Sequence, residues 1–116
     1  MGKFVEVAKK GDLANGAMRE VKLEGHDILL ARVADKYYAI DNRCPHFGGN
    51  LSRGRLEGIV VTCPLHGSQF DITDGRVVRW LKGSGLLSAV GKALKSPTST
   101  TPYKIKVEGD KVLVEV

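Results

Sequence analysis

Two short segments, Cys44-Pro45-His46 and Cys63-Pro64-Leu65-His66, hold both cysteines of the chain and two of its three histidines. Each supplies one thiolate and one imidazole, and sixteen residues lie between His46 and Cys63. If the four donors serve one metal centre, the fold must bring two separate loops together from opposite sides. The surrounding pattern agrees, because both segments fall in stretches without hydrophobic periodicity and flank a short β-branched run, Ile59 to Thr62.

Elsewhere the chain reads as short strands separated by turns. Phe4 to Val7 alternates apolar and charged residues, as do Val21 and Leu23. Asp27 to Val33 and Lys36 to Ile40 follow, separated by an Ala34-Asp35 turn short enough for a hairpin. Residues 42 to 56 are expected to be loop, and Ile59 to Thr62 a buried strand. Phe70 and Ile72 lead into Asp74-Gly75, a strong hairpin signal, and Tyr103 to Val116 reads as a terminal hairpin turning at Gly109-Asp110. One segment departs from this pattern: Leu86, Leu87, Val90, Ala93 and Leu94 are spaced as on a helix over 84–95, with Ser84 as N-cap. Ser96 to Pro102 is expected to be an exposed connector. The fold class is therefore all-β, with small antiparallel sheets and one short helix.

A chain of 116 residues fits one domain, 1–116, with a core of modest size. The fourteen glycines suit a fold rich in turns. The net charge of +5 points to a solvated surface or an acidic partner protein. No helix-turn-helix pattern and no aromatics set among basic residues indicate nucleic acid. The N-terminal MGKFVEVAKKGDL has no apolar signal stretch, no run is long enough to span a membrane, and Glu6 stands where a myristoylation signal prefers Ser or Thr. A cytoplasmic protein is expected. In a reducing compartment, paired Cys and His read as metal ligands before they read as a disulfide.

Cys2His2 donors can bind zinc tetrahedrally, although the common zinc finger keeps its cysteines in one half and its histidines in the other. They also match a [2Fe–2S] cluster with two cysteines on one iron and two histidines on the other. A zinc module, or a disulfide with incidental histidines, remains as the alternative on the residues alone. His26 follows a turn and has no ligand pattern.

Cys-x-His, sixteen residues and Cys-x-x-His together resemble the Rieske signature. The likeness runs through Cys63-Pro64-Leu65-His66-Gly67-Ser68-Gln69-Phe70-Asp71 and the terminal hairpin, so it covers most of the chain. The resemblance implies a Rieske-type fold with a two-loop cluster-binding subdomain at about 42–70. Cys44 and Cys63 would bind the inner iron of one [2Fe–2S] cluster, and His46 and His66 the outer iron. Pro45 and Pro64 would stiffen the loops, and Gly48, Gly49 and Gly67 would permit tight turns beside the cluster. The implied role is a one-electron carrier, not an enzyme, between a flavin-containing reductase and a Rieske-type aromatic-ring oxygenase. Docking is expected near His46, Phe47, Leu65 and His66. The alternative is the small Rieske-like subunit of a nitrite reductase. A terminal oxygenase is excluded, because its mononuclear iron needs two more histidines and only His26 is left.

Two departures narrow the subtype. The high-potential respiratory members add a disulfide, but Gly49 and Leu65 occupy the corresponding positions. They also bond a ligand thiolate with a tyrosine, where this chain has Phe70, while Ser68 retains a hydroxyl donor. Fewer donors to the cluster imply a low-to-intermediate potential within the Rieske range of about −150 to +300 mV.

Overall fold

Ile28-Leu29-Leu30-Ala31 is a run of four consecutive apolar residues, and all four are fully buried. Side chains alternate along a strand, so such a run has to be covered on both faces. The computed structural model, which describes residues 3–44, 49–64, 67–79 and 99–116, shows how. The run lies in β3 (His26–Val33), paired antiparallel with β2 (Met18–Leu23) and β4 (Lys36–Asp41). Leu29 and Ala31 on β3, with Ile40 on β4, point into one buried cluster. Ile28 and Leu30, with Tyr37 and Ala39, point into another. The central sheet is thus a partition between two cores.

A three-stranded sheet closes the second core. Its order is β1 (Phe4–Lys9), β11 (Lys111–Glu115), β10 (Ile105–Glu108), and Ala8, Val112 and Val114 supply its buried residues. The ends of the chain meet in this sheet: the Lys3 amide donates to the Val116 carbonyl at 2.9 Å, and the Val116 amide to the Lys3 carbonyl at 3.0 Å.

The expected terminal hairpin is shorter than its alternation suggests. Tyr103 belongs with Pro102 to β9 (Pro102–Tyr103), which leaves the hairpin and pairs with β4 as the fourth strand of the central sheet. The connector before it is not exposed throughout. Thr100 is buried, its amide donates to the Gly75 carbonyl at 2.9 Å, and its hydroxyl donates to the Asp41 carbonyl at 3.2 Å. The backbone is tied down because its polar groups find partners on two sheets.

The first core is closed by a small sheet of β5 (Arg55–Glu57), β6 (Val60–Thr62), β7 (Gln69–Asp71) and β8 (Val77–Arg79), in that order. Val61, Phe70 and Ile72 pack against Leu29, Ala31 and Ile40, with Leu56 and Val77 alongside. Two expectations change here. Residues 42–56 are not all loop, since Leu51–Arg53 form a 3-10 turn and β5 follows it. Only Val61 of the Ile59–Thr62 run is buried, because the other strand face looks outward and Ile59, in the turn, is 41% exposed. The helix expected over 84–95 lies outside the described residues.

Candidate metal centre

Loop 1 leaves the end of β4 and returns at Asn50, where Arg43 and Asn50 form an antiparallel bridge. Loop 2 joins β6 to β7, where Thr62 pairs with Gln69. Each bridge encloses six residues, and in both loops the first of the six is a cysteine. The closing bonds also match. The Cys44 amide donates to the Gly49 carbonyl and the Cys63 amide to the Ser68 carbonyl, each at 2.7 Å. Both loops therefore pin a cysteine at the start of a small hairpin, and an i to i+5 bond fixes that end.

The two cysteines share one buried cluster, at 2% and 3% exposure, with Leu51, Val61, Phe70 and Ile72. Neither is half of a disulfide, which removes the cystine alternative for these two residues. Two buried thiols beneath adjacent hairpins present the soft donors that zinc or iron–sulfur centres select. Of the other residues singled out in the sequence, Pro64 is exposed, Gly67 half-buried, Ser68 buried and Phe70 fully buried. Gly67 adopts φ +75°, a left-handed conformation that glycine takes without steric cost, and its amide donates back to the Cys63 carbonyl at 3.1 Å. His46, His66, Pro45, Gly48, Phe47 and Leu65 lie outside the described residues.

Each loop rests on a residue that the sequence reading passed over. Under loop 1, the fully buried Asn42 uses every polar group it has. Its side-chain amide donates one hydrogen to Asn50 Oδ1 at 2.8 Å and shares the other between Glu20 Oε2 and Asp27 Oδ1, at 3.2 Å each. Its Oδ1 accepts from the Ser52 amide at 2.8 Å, and its backbone carbonyl accepts from the Leu51 amide at 2.8 Å. Asn42 thus couples the central sheet to the return of loop 1. Its position just after an alternating strand and two residues before a cysteine was the available signal.

Beside loop 2, the Arg79 guanidinium donates to the Gly67 carbonyl through Nε at 3.2 Å and Nη2 at 2.9 Å. The reach depends on a bulge. Phe70 pairs with Val77, but Gln69 pairs with Arg79, a one-residue slip that sends Arg79 to the opposite face from the one simple alternation assigns. No sequence signal marks that slip. Gly54 permits a further close approach, since a Cβ there would overlap the Thr62 carbonyl just before Cys63. His26 plays no part at this end. Its Nδ1 lies 3.3 Å from the Tyr103 hydroxyl and the rings meet edge to face.

An all-β scaffold whose two matched hairpins each begin with a buried cysteine defines a small metal-binding protein of the iron–sulfur or zinc type. The comparisons with known proteins decide between these. Residues 3–88 match the Rieske [2Fe-2S] domain. The chain is 30% identical to the ferredoxin component of the naphthalene 1,2-dioxygenase system of Pseudomonas putida, over 98% of this chain and 96% of that protein. In structure it is similar to the ferredoxin of carbazole 1,9a-dioxygenase from Nocardioides aromaticivorans IC177, with TM-score 0.80, 26% identity and 96% and 95% of the two chains covered. It is also similar to a chain in a complex of reduced oxygenase and oxidized ferredoxin in carbazole 1,9a-dioxygenase, with TM-score 0.76, 26% identity and coverage of 95% and 99%.

The chain belongs to the Rieske [2Fe-2S] family, and within it to the ferredoxins, which carry electrons rather than catalyse. Its cofactor is one [2Fe–2S] cluster, and the small nitrite reductase subunit is not favoured as a reading. Among the described residues, no helix is long and apolar enough to cross a membrane.

Proposed function

We propose that Cys44, His46, Cys63 and His66 hold the [2Fe–2S] cluster, and that this carrier passes single electrons from a flavin-containing reductase to a terminal oxygenase. When bound, the cluster supplies one-electron redox chemistry at one end of the fold. The observation that carries the ligand assignment is the matched pair of hairpins, each starting with a buried cysteine pinned by its own amide. The residues around them suit the task. Val61, Phe70 and Ile72 pack around Cys44 and Cys63 and keep water from the thiolates. Asn42 and Arg79 hold the two loop backbones in place. Fixed loops keep ligand geometry constant between oxidation states, which lowers the reorganisation that electron transfer requires.

The oxygenase as acceptor rests on relatives named as dioxygenase ferredoxin components and on the ferredoxin–oxygenase complex. Docking is assigned to the loop tips at His46, Phe47, Leu65 and His66. The reading treats 1–116 as one domain and places it in the cytoplasm, whose reducing poise keeps paired thiols available as ligands.

An absorption spectrum of the purified protein, followed by EPR after dithionite reduction, tests the assignment. Visible bands that bleach and a rhombic signal are expected, together with loss of both in Cys44→Ser and in His66→Ala. A colourless protein carrying stoichiometric zinc would overturn it.

A further inference from the structure

The charge of this protein is divided unevenly between its sheets. Outside residues 42–79, the described chain has ten lysines and arginines and ten carboxylates, and four ion pairs link some of them. Residues 42–79 carry five arginines, no lysine and only three acids. Arg76 pairs with Asp74 at 3.6 Å. Arg43, Arg53 and Arg55 are exposed, and among the described residues they make no ion pair. The undescribed stretches contain no acid that could neutralise them.

Strand register gives this excess a direction. On the rung of the small sheet next to Cys63, Arg55 pairs with Thr62, Thr62 with Gln69 and Gln69 with Arg79. Directly paired residues point to the same face, so this rung begins and ends in arginine. The next rung, Leu56, Val61, Phe70 and Val77, faces the core. The rung beyond, Glu57, Val60 and Asp71, returns to the outer face with two acids. The outer face is therefore cationic at the edge beside the cysteine loop and anionic at the far edge.

We infer that this outer face, with Arg55 and Arg79 at its cationic edge and Arg53 in the turn that leads into β5, is an electrostatic docking surface for an acidic patch on a redox partner protein. The far acidic edge repels the same patch, so the partner is oriented toward the loop that begins at Cys63. Two guanidiniums on one edge, with that of Arg53 in the turn before it, produce a local field that a compensated surface lacks, and such fields raise encounter rates at low salt. The inference rests on the electron-carrier reading above and names the chemistry of the partner's surface.

The test is stopped-flow oxidation of the reduced, cluster-loaded protein by two acceptor proteins of opposite charge, acidic plastocyanin and basic cytochrome c, across a series of salt concentrations. The expected result is a plastocyanin rate that falls about tenfold or more from low salt to about 0.3 M, with a cytochrome c rate that does not fall. The double variant Arg53→Glu, Arg55→Glu should flatten the plastocyanin salt dependence, while the charge-matched double variant Lys106→Glu, Lys111→Glu in the terminal sheet should leave it in place. The inference is overturned by equal responses to the two acceptors. It is also overturned if the terminal-sheet double variant acts as strongly as the Arg53, Arg55 double variant, because then only net charge matters. A protein with no bleachable cluster would instead bring down the electron-carrier reading, and the spectrum shows this before any rate is measured.

Discussion

The central sheet and the small sheet solve the same problem with different means. Strands β2, β3 and β4 run six, eight and six residues, and β3 buries four side chains in succession between two cores. Each strand of the small sheet has three residues and one inward face. Strands that short are below the usual five or six residues, and a sheet built from them has little cohesion of its own. What it has instead is two cysteine hairpins, an asparagine hub and an arginine clamp. The central sheet is held by apolar area on both faces, whereas the small sheet has one apolar face and relies in addition on point attachments, to which a cluster held by both cysteines would add.

This contrast can be broken at its strongest point. Replacing Cys63 with Ser should abolish cluster incorporation, read as lost visible absorbance and iron. Amide exchange should then quicken across β5–β8 while β3 and β11 stay protected. Equal loss of protection in all three sheets would show that the fold is one cooperative unit.

The two faces of β3 give a sharper comparison. Leu29→Ala and Leu30→Ala should each cost about 2–5 kcal/mol in denaturant unfolding, since both side chains are fully buried. Only Leu29→Ala opens the core that contains the cysteines. It alone should broaden the EPR signal or speed cluster loss, and a matching change in Leu30→Ala would count against the partition.

Asn42 lies on the seam between the two regions. Asn42→Ala leaves the Ser52 amide without its partner and removes one of the two donors to Asn50 Oδ1, at a cost of about 1–3 kcal/mol. The loss should appear as faster exchange at Leu51 and Ser52 and earlier release of iron on heating.

The smallest effect concerns Tyr103 in the central sheet. Burial, with a further contribution from the Asp41 carboxylate, raises its pKa above the usual 10.0. The raised folded value means its contribution to stability is intact below pH 10 and is lost as pH rises through the folded pKa. Tyr103→Phe should therefore decline less than the parent in alkaline unfolding titrations above about pH 10, with cluster absorbance unaffected at neutral pH.

Much of this arrangement is readable from residue order. The alternation at Phe4–Val7, the turns at Ala34-Asp35 and Asp74-Gly75, and both cysteines at positions outside any strand all correspond to what the chain forms. The features that escaped depend on register or on distant partners. Arg55-Leu56-Glu57 is too short an alternation to distinguish from loop. Tyr103 continues the spacing of β10 in sequence, yet its neighbour Pro102 pairs with Ile40 on another sheet. Thr100 looks like part of a polar connector until the Gly75 and Asp41 carbonyls supply its partners. Arg79 reaches loop 2 only because one strand slips by a residue, and composition carries no trace of that.

The reciprocal bonds between Lys3 and Val116 give the backbone the connectivity of a nearly closed ring. Neither end can fray without releasing the other, so the seam behaves as an internal rung rather than as two loose tails. A linker of a few residues across it would circularise the chain, and new ends could be cut at the Glu24-Gly25 turn without parting any strand. Anything appended to either end emerges from the same corner, in the sheet that the central partition separates from both cysteines. A tether, label or electrode linkage attached there leaves the redox end of the molecule facing away from its anchor.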